Sequence, residues 1–396
     1  IRDRSPSRGL GDVYKRQYEI ILKWDPSNAH DNSHDGYTGE VYVDCYKLSG
    51  KLLWRINLGR NIRAGAHYTQ FMVFDFDGDG KAEVVMKTAD GTVDGTGKVI
   101  GDAQADYRNE QGRILTGPEY LTVFNGLTGE AMQTIDYVPV RGDLMGWGDS
   151  RGNRSDRFLA CVAYLDGIHP SVVMCRGYYT RTVLAAFDWD GKELKQRWVF
   201  DSNNPGCKDY AGQGNHNLRV GDVDGDGCDE IIYGSCAIDH NGKGLYTTKM
   251  GHGDAIHLTH FDPSRKGLQV WDCHENKRDG STYRDAATGE VLFQIKDNTD
   301  VGRCMAADID PTQPGVEMWS VASGGIRNVK GEVVKDRVRG LSCNMAVWWD
   351  GDLLRELLDR NMVSKYNWEK GVCERIAIFE GTLSNLSLIH ISEPTR

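Results

Sequence analysis

Short apolar stretches alternate with glycine-rich and acidic turns along most of the chain, and six of these stretches begin in a similar way. They read "EIILKWD" from Glu19, "EVVMKTAD" from Glu83, "SVVMCRG" from Ser171, "EIIYGS" from Glu230, "QVWDCHE" from Gln269 and "EMWSVASGG" from Glu317. Runs of this length that are rich in Val, Ile, Met and Trp and bounded by turn residues are typical of β-strands. The pattern therefore predicts six short strands spread along the sequence.

Hairpins are predicted between these strands. Four segments contain an apolar run, a turn with glycine and a second apolar run: "DCYKLSGKLLWRI", "VFNGLTGEAMQTI", "FDWDGKELKQRWVF" and "YRDAATGEVLFQI". The unit of loop, strand and hairpin recurs irregularly, since Glu230 and Gln269 are 39 positions apart and Glu83 and Ser171 are 88 apart. Repeats of several short strands at such spacings predict an all-β fold, a β-propeller built from blade-like sheets.

One segment departs from this pattern. In "WWDGDLLRELLDR" the leucines at 353, 354, 357 and 358 have helical spacing. The segment therefore predicts a short helix, with Asp350 or Asp352 as its N-cap.

Acidic loops precede several of the predicted strands. In "DFDGDGKAE" the carboxylates of Asp75, Asp77 and Asp79 alternate, and Glu83 follows at the ninth position. This spacing resembles the first half of an EF-hand loop, in which Gly80 permits the sharp turn that brings oxygen ligands together. The bidentate glutamate of an EF-hand is missing and a strand follows, so the sequence predicts a calcium-binding β-loop. A divalent cation would offset the repulsion among the carboxylates.

The same arrangement recurs, which strengthens the interpretation over that of a solvated acidic turn. "DVDGDGCDE" repeats the full set, and the weaker copy "ADIDPTQPG" retains part of it. Two further copies, "AYLDGIHP" and "THFDPSRKG", have lost most of their acids. Besides the first loop, the predicted calcium ligands are Asp222, Asp224, Asp226, Glu230, Asp308, Asp310 and Glu317.

Composition narrows the class of protein. The 396 residues carry a formal net charge of −10 without a basic stripe, so nucleic acid is not expected as a partner. No apolar run is long enough for a membrane-spanning helix. The ten cysteines are scattered singly and lie mostly in apolar runs, which favours buried thiols. One or two disulfides remain an alternative if the protein is exported.

The two ends differ from the rest of the chain. Residues 1–17 are basic and unpatterned, and residues 386–396 also break with the preceding sequence. We expect both to be non-native tails that flank an incomplete propeller domain at 18–385, and ordinary flexible tails are the alternative. A signal peptide would not be visible in such a chain.

Longer segments resemble one enzyme family. "KWDPSNAHDNSHDGYTGEVYVDCYKLSGKLLWRINLG", "GHGDAIHLTHFDP", "ADIDP", "WWDGDLLRELLD" and the two DxDGDG loops are similar to the rhamnogalacturonan lyases of polysaccharide lyase family 11. The resemblance implies an eight-bladed propeller with several calcium ions, mostly structural and one at the catalytic site. It also implies β-elimination in the rhamnose–galacturonate backbone of rhamnogalacturonan I, a pectic polysaccharide. We expect an extracellular or periplasmic monomer, because pectin polymers do not enter the cytosol intact.

The resemblance extends to individual residues. Asp25 matches an aspartate that holds the catalytic calcium, and Asp254 is a further metal ligand. His216 and His252 match histidines that line the cleft, although a lone histidine is more often a structural hydrogen-bonding residue. Arg303 is the candidate catalytic residue, as a base or as a clamp for the uronate, against the alternative of a surface arginine. Arg327 is the second candidate arginine.

The chain also departs from the family. Asn385 would be the first residue of a segment with calcium ligands and a catalytic lysine, but "LSLIHISEPTR" follows it. We therefore expect this chain to be inactive although its gene encodes a lyase. Two other functions compete with this one. A non-enzymatic, calcium-stabilised propeller that binds carbohydrate or protein would not need Arg303, and a glycoside hydrolase would need a free pair of carboxyl groups.

Overall fold

The computed structural model describes residues 18–322 and 324–380, which form 29 β-strands joined by turns. Within these ranges there is no α-helix, only two short 3-10 helices at Leu144–Trp147 and Lys208–Tyr210. None of the described helices is long and apolar enough to cross a membrane. The chain divides after Asn204 into two compact units.

Thirteen strands belong to the first unit. They are β1 Glu19–Trp24, β2 Tyr42–Lys47, β3 Leu52–Asn57, β4 Phe71–Phe74, β5 Glu83–Thr88, β6 Thr92–Val93, β7 Val99–Ile100, β8 Tyr120–Asn125, β9 Ala131–Asp136, β10 Phe158–Ala163, β11 Ser171–Arg176, β12 Val183–Trp189 and β13 Leu194–Asp201. They form three antiparallel sheets. Sheet 1 has the order β1-β2-β3-β6-β7, sheet 2 the order β4-β5-β8-β9 and sheet 3 the order β10-β11-β12-β13.

Sixteen strands belong to the second unit. They are β14 Gly214–Gly221, β15 Glu230–Gly234, β16 Cys236–Ile238, β17 Gly244–Thr247, β18 Ile256–Thr259, β19 Gln269–Cys273, β20 Ser281–Asp285, β21 Val291–Ile295, β22 Cys304–Ala307, β23 Glu317–Ser320, β24 Ile326–Arg327, β25 Val333–Lys335, β26 Met345–Val347, β27 Glu356–Asp359, β28 Met362–Asn367 and β29 Val372–Ile378. Taken four at a time in chain order, they form sheets 4, 5, 6 and 7, each an antiparallel meander.

The predicted all-β class and the predicted strands are confirmed. All six apolar stretches are strands, and all four predicted hairpins are present as β2–β3, β8–β9, β12–β13 and β20–β21. In sheets 2 to 6 the apolar stretch is the second strand of its sheet, and the acidic or decayed loop connects it to the first strand. The repeat read from the sequence is therefore a repeat of sheets.

The predicted helix at 353–358 is wrong. Glu356–Asp359 is strand β27, which pairs with β26 and β28. Leu357 is buried, whereas Leu353 is 85% exposed, so the leucines do not share one face of a helix. Asp350 and Asp352 lie in the loop before β27 and cap no helix.

Apolar residues fill the space between consecutive sheets of each unit. In the first unit one core joins sheets 1 and 2 and a second joins sheets 2 and 3. In the second unit three cores join sheets 4 and 5, 5 and 6, and 6 and 7. Burial of these faces on both sides explains why β5, β11, β15 and β19 read as continuous apolar runs rather than alternating ones.

Tryptophans connect neighbouring sheets through hydrogen bonds as well as apolar contact. The indole N–H of Trp54 in sheet 1 donates to Gly126 O beyond β8 of sheet 2, at 2.9 Å. In the second unit Trp271 donates to Trp319 O, and Trp319 donates to Ser342 O just before sheet 7. Each buried ring therefore has a partner for its polar atom, as buried tryptophan requires.

The cysteines agree with the expectation of thiols. All ten lie within the described residues, and no disulfide joins any two of them there. Six of them are buried and four are half-buried. Burial raises the pKa of several, including Cys45 and Cys236, each to about 12. These thiols therefore act as small apolar side chains in the cores.

Candidate metal centres and active site

The first acidic loop, 75–83, holds its carboxylates in one place. Ligand oxygens of Asp75, Asp77 and Glu83 lie within 4.8 Å of one another. Backbone N–H groups fix two of them, since Phe76 N donates to Glu83 Oε2 at 2.9 Å and Gly80 N donates to Asp75 Oδ2 at 3.0 Å. Gly80 has a φ of 87°, which an L side chain rarely adopts. The loop is thus folded around its acids.

Loop 222–230 has the same construction. Val223 N donates to Glu230 Oε2 at 2.9 Å, and Gly227 N donates to Asp222 Oδ2 at 3.1 Å. Asp222, Asp224 and Glu230 again lie within 4.8 Å of one another. Two loops with matching spacing have therefore folded with matching hydrogen bonds.

Loop 308–317 is a reduced version. Glu317 Oε2 accepts from Ile309 N at 2.8 Å, as the equivalent glutamates accept in the other loops, and it also accepts from Asp310 N at 2.9 Å. Thr312 stands where the third aspartate would be, and its hydroxyl donates to Asp310 Oδ1 at 2.6 Å. This loop offers two aspartates and one glutamate rather than three aspartates and one glutamate.

Electrostatics of the loops favour a bound cation. Burial, together with the charges of the neighbouring aspartates, raises the pKa of Glu83 to about 8, of Glu230 to about 7 and of Glu317 to about 8. Buried oxygens Asp75 Oδ1 and Glu317 Oε1 receive no hydrogen bond from residues 18–322 or 324–380. Clustered carboxylates with unused buried oxygens fit a hard divalent cation such as calcium.

His240 is a neighbour of loop 222–230 that the sequence analysis missed. Its Nδ1 lies 3.3 Å from Asp226 Oδ2, 3.6 Å from Glu230 Oε1 and 2.8 Å from Asp239 Oδ1. It follows β16, whose pairing with β15 brings it to the loop. No motif marks this histidine, because its proximity depends on strand register and not on spacing along the chain.

A second kind of site lies in sheets 4 to 6. His216, His252, Asp254 and Glu275 place one ligand atom each within 4.8 Å of one another. Together with Arg303 they form what we call the histidine cluster. His216 Nε2 is 3.3 Å from Asp254 Oδ1, and His252 Nε2 is 3.4 Å from Glu275 Oε1. The two imidazole rings are 4.9 Å apart and nearly perpendicular.

Backbone contacts between neighbouring segments assemble the histidine cluster. His216 N donates to Gly253 O at 3.2 Å, and Glu275 N donates to His252 O at 3.1 Å. A side chain at Gly253 would place its Cβ 1.8 Å from Cys273 O, so only glycine fits this position of "GHGD". The close approach holds the segment 252–254 against both β14 and the end of β19.

A buried ion pair lies behind the histidine cluster. Asp272 accepts from Asn215 Nδ2 at 2.7 Å and from Arg284 Nη1 at 2.8 Å, and all three residues are fully buried. Asn215 is adjacent to His216 in β14. The hydrogen bonds therefore fix the strand that presents one of the imidazoles.

Arg303 contributes the positive charge of the cluster. Its Nη1 donates to Asp254 Oδ2 at 2.7 Å and to Gly302 O at 2.6 Å, and its side chain is 26% exposed. Burial and the nearby Glu275 raise the pKa of Asp254 to about 7, although Arg303 acts in the opposite direction. The guanidinium is thus held in a fixed place and remains open to a ligand.

The donor set of the histidine cluster fits a divalent cation. Two imidazole nitrogens and two carboxylates are a combination typical of zinc and other first-row transition metals. The three acidic loops, by contrast, offer oxygen ligands from their carboxylates. The chain therefore presents two chemically different kinds of candidate metal centre.

The remaining predicted residues lie outside these groups. Asp25 follows β1, where its Oδ2 lies 3.1 Å from Lys23 Nζ. Arg327 lies in β24 and donates to Gly331 O in its own turn, and among the described residues no hydrogen bond joins it to the histidine cluster. Asn385 lies outside the described residues. Glu275, which the sequence analysis did not select, is the fourth ligand candidate of the cluster.

Comparison with known proteins gives a consistent result. Residues 7–389 match the family model described as rhamnogalacturonan lyase family 11, C-terminal domain. Over 386 residues the chain is 61% identical to the rhamnogalacturonan exolyase YesX of Bacillus subtilis (strain 168), covering 93% of this chain and 63% of the relative. Over 379 residues it is 58% identical to the endolyase YesW of the same organism, covering 95% of this chain and 61% of the relative.

Solved structures agree. A rhamnogalacturonan lyase of Bacillus licheniformis, PL11, superposes with a TM-score of 0.92 at 58% identity, covering 96% of this chain and 65% of that chain. The exotype rhamnogalacturonan lyase YesX superposes with a TM-score of 0.92 at 59% identity, covering 96% and 66%. The chain spans about three fifths of the length of the curated relatives it matches.

Proposed function

The chain belongs to rhamnogalacturonan lyase family 11, and from this premise we propose that the lyase encoded by its gene cleaves the rhamnose–galacturonate backbone of rhamnogalacturonan I by β-elimination. Its relatives include an exolyase and an endolyase at similar identity. The proposal therefore concerns the reaction and the polymer, and not the position of cleavage along it.

The main structural support for this proposal is the position of Arg303, whose guanidinium is held in place close to two histidines. β-Elimination removes the proton at C5 of galacturonate, next to a carboxylate, and expels the oxygen substituent at C4. Negative charge accumulates on the uronate as the proton leaves. A guanidinium that contacts the carboxylate stabilises this charge more in the transition state than in the bound substrate.

Arg303 acts as the uronate clamp in this proposal. The guanidinium carries a positive charge and donates to Asp254, which holds it in place. Its planar fork matches a carboxylate, which makes the interaction directional. Asp254 is a positioning residue, because its other oxygen contacts His216 and so ties the arginine to β14.

Calcium is the proposed metal of loops 75–83, 222–230 and 308–317. In these loops the ions brace the connection between the first and second strands of their sheets and do not contact substrate. At the catalytic site Asp25 is the proposed ligand of a further ion, which would withdraw charge from the uronate carboxylate. Bound cations also offset the net charge of −10, which otherwise opposes binding of an anionic polymer.

The sheets are proposed to be blades of a β-propeller. In support, six of the seven sheets have four antiparallel strands, and apolar cores lie between consecutive sheets of each unit. We place the protein outside the cytosol, as a monomer, since its polymeric substrate does not enter cells intact.

Product analysis tests the reaction class. Rhamnogalacturonan I is digested with the protein, extended by whatever flanking residues its gene encodes, and the products are weighed by mass spectrometry. Elimination gives an unsaturated uronate at the new non-reducing end, one water lighter than the product of hydrolysis. Products of the eliminated mass support the proposal. Products of the hydrolysed mass would contradict the lyase function and indicate a glycoside hydrolase. No products from folded protein would favour a non-enzymatic binding module.

A further inference from the structure

Sheet 7 contains a fourth acidic loop, 348–356, which corresponds position by position to loop 75–83. "WWDGDLLRE" aligns with "DFDGDGKAE" without a gap, so Asp350, Asp352 and Glu356 take the places of Asp77, Asp79 and Glu83. At the first position Trp348 replaces an aspartate. One of the four carboxylates is therefore absent.

The backbone of the loop follows the same plan. Trp349 N donates to Glu356 Oε2 at 2.7 Å, as Phe76 N does to Glu83 Oε2 at 2.9 Å. The loop joins β26 to β27, the first and second strands of sheet 7. Its fold is thus that of a metal-binding loop of this protein.

A lysine lies in the middle of these acids. Lys365 Nζ is 2.5 Å from Asp350 Oδ2, 2.6 Å from Asp352 Oδ2 and 2.8 Å from Glu356 Oε1. Calcium binds its oxygen ligands at about 2.3–2.6 Å. The ammonium therefore lies where a divalent cation would make nearly the same contacts.

Strand register places the lysine there. Leu357 pairs with Ser364, so Lys365 of β28 lies opposite Glu356. In sheet 2 the residue opposite Glu83 is Asn125. In sheet 6 the pairing of Met318 with Arg327 places Asn328 opposite Glu317. Both equivalents are uncharged, and a lysine at this position distinguishes sheet 7 from these two sheets.

The charge balance of the loop differs accordingly. In loop 75–83 burial raises the pKa of Asp75. In loop 348–356 hydrogen bonding to Lys365 lowers the pKa of Asp350. Desolvation opposes the charge on Lys365, but hydrogen bonds to the three carboxylates outweigh it and raise the pKa of the ammonium. The loop therefore contains its own positive charge, which offsets part of the charge of its three carboxylates.

We propose that the ammonium of Lys365 replaces a divalent cation in loop 348–356, so that sheet 7 carries its own cation and binds no metal ion in this loop. Sheet 7 then keeps its loop folded in the presence of a chelator, whereas the loops of sheets 2, 4 and 6 depend on metal. This inference does not depend on lyase activity.

Metal counting tests the absence of an ion from the loop. Calcium bound per folded chain is measured by equilibrium dialysis for the wild type and for the double variant Asp350→Asn with Asp352→Asn. We expect the same count. The matched variant, Asp77→Asn with Asp79→Asn, is expected to lose one ion. Loss of one ion from the Asp350/Asp352 variant would overturn the proposal.

A gain of binding provides the complementary test and does not require the other loops to bind calcium. Trp348→Asp with Lys365→Met restores the missing carboxylate and removes the ammonium. We expect this variant to bind one more terbium ion than the wild type, with luminescence excited through Trp349. Trp348→Asp with Lys370→Met is the control, since Lys370 contacts Glu374 at the surface. It should gain no ion. Equal binding by both variants would contradict the proposal.

Discussion

At the first position of strands β5, β15 and β23, a glutamate makes two different kinds of contact. One carboxylate oxygen accepts a backbone N–H from the preceding loop, and the other faces the aspartates. In sheet 5 the side-chain oxygen of Gln269 makes the same backbone contact, with Phe261 N at 3.0 Å and Asp262 N at 3.2 Å, while its amide nitrogen donates to Gly267 O. An amide suffices there because its loop has a single aspartate. The backbone contact is thus common to Gln269 and the three glutamates, and the charge is retained only where several acids meet.

Glu119 is the residue on which a buried cluster of charges in the first unit depends. Its carboxylate contacts Lys87 at 3.0 Å, Arg141 at 2.9 Å and Arg176 at 2.7 Å, and every one of these side chains is less than 10% exposed. Burial opposes its ionisation, but the three cations outweigh burial and hold the pKa of Glu119 below its usual range.

Glu119→Gln is expected to destabilise the protein by about 3–5 kcal/mol, because it leaves buried cations without a counter-charge. Urea unfolding followed by circular dichroism measures the change. Asp190→Asn is the control, since Asp190 pairs with the exposed Lys195 and should contribute less than about 1 kcal/mol. Equal effects of the two substitutions would show that the buried cluster is not stabilising.

Arg303→Lys is expected to lower the rate of cleavage about 100-fold while the protein stays folded, because a lysine keeps the charge but loses the planar fork. Initial rates on rhamnogalacturonan I, with each substitution made in the protein extended by the flanking residues its gene encodes, measure the effect. Arg327→Lys serves as the control and should stay within about threefold of the wild type, since Arg327 contacts only its own turn among the described hydrogen bonds. If Arg327→Lys has the larger effect, the clamp is assigned to the wrong arginine.

Four of the five residues of the histidine cluster can be identified from the sequence, and the fifth cannot. His216, His252, Asp254 and Arg303 were selected by resemblance, and the structure brings them together. Glu275 follows a buried strand as a single acid, with no spacing that distinguishes it from a solvated turn residue. Only the contact between its backbone and His252 places it in the cluster.

At the scale of the element, the sequence predicts strands and hairpins better than it predicts isolated leucine patterns. The hairpins follow from turn chemistry, which is local. At 353–358 the leucine spacing favours a helix, but Glu356 binds Trp349 N and β27 pairs on both sides. Four leucines form too short a pattern to distinguish a helix from a strand. The alignment of this segment with loop 75–83 is therefore better evidence for its structure than the spacing of the leucines.

Asp224→Asn tests the calcium loops as structural elements. A bound cation stabilises the folded state by about 2–3 kcal/mol when its concentration is a hundred times its dissociation constant. Loss of one ligand weakens the binding of the cation and so reduces this stabilisation. We expect the Tm in calcium to fall by about 5–10 °C, and the Tm in chelator to stay the same or rise, because a repelling charge is removed.

Asp262→Asn provides the control for this experiment. Asp262 lies in the equivalent loop of sheet 5, where its carboxylate accepts hydrogen bonds from Ser264. Its replacement should leave the difference between the Tm in calcium and the Tm in chelator unchanged. If both substitutions reduce the difference between the Tm in calcium and the Tm in chelator equally, loop 222–230 is not a specific calcium site.

The acidic loops also predict how stability depends on pH. Glu83, Glu230 and Glu317 have a pKa of about 7 to 8 in the folded protein, raised by burial from the ordinary value of 4.5. Between pH 5 and pH 8 the folded, metal-free protein therefore binds more protons than the unfolded chain, and its stability falls as pH rises. Calcium binds the ionised form, so the rise in Tm on adding calcium should grow over this range. A rise in Tm that is independent of pH would contradict the calcium assignment.

At the scale of the whole molecule, seven sheets carry two kinds of site on one repeated plan. Four loops with the same backbone contacts lie in sheets 2, 4, 6 and 7, whereas the histidine cluster draws its residues from sheets 4 to 6. Resemblance identified the family over nearly the whole chain, and the family model and relatives agree. The role of Lys365 could not be predicted from the sequence, because its contact with the loop depends on the register of β27 and β28.

The most direct test of the account follows cleavage and metal dependence together. The protein, extended by the flanking residues its gene encodes and run beside the 396-residue chain, is incubated with rhamnogalacturonan I and separately with polygalacturonate. Ultraviolet absorbance of the unsaturated uronate is recorded with calcium, with chelator, and after calcium is restored. For the extended protein we predict an increase on rhamnogalacturonan I alone, lost with chelator and recovered with calcium. No increase on either polymer, from folded protein with calcium bound, would contradict it and favour a non-enzymatic binding protein.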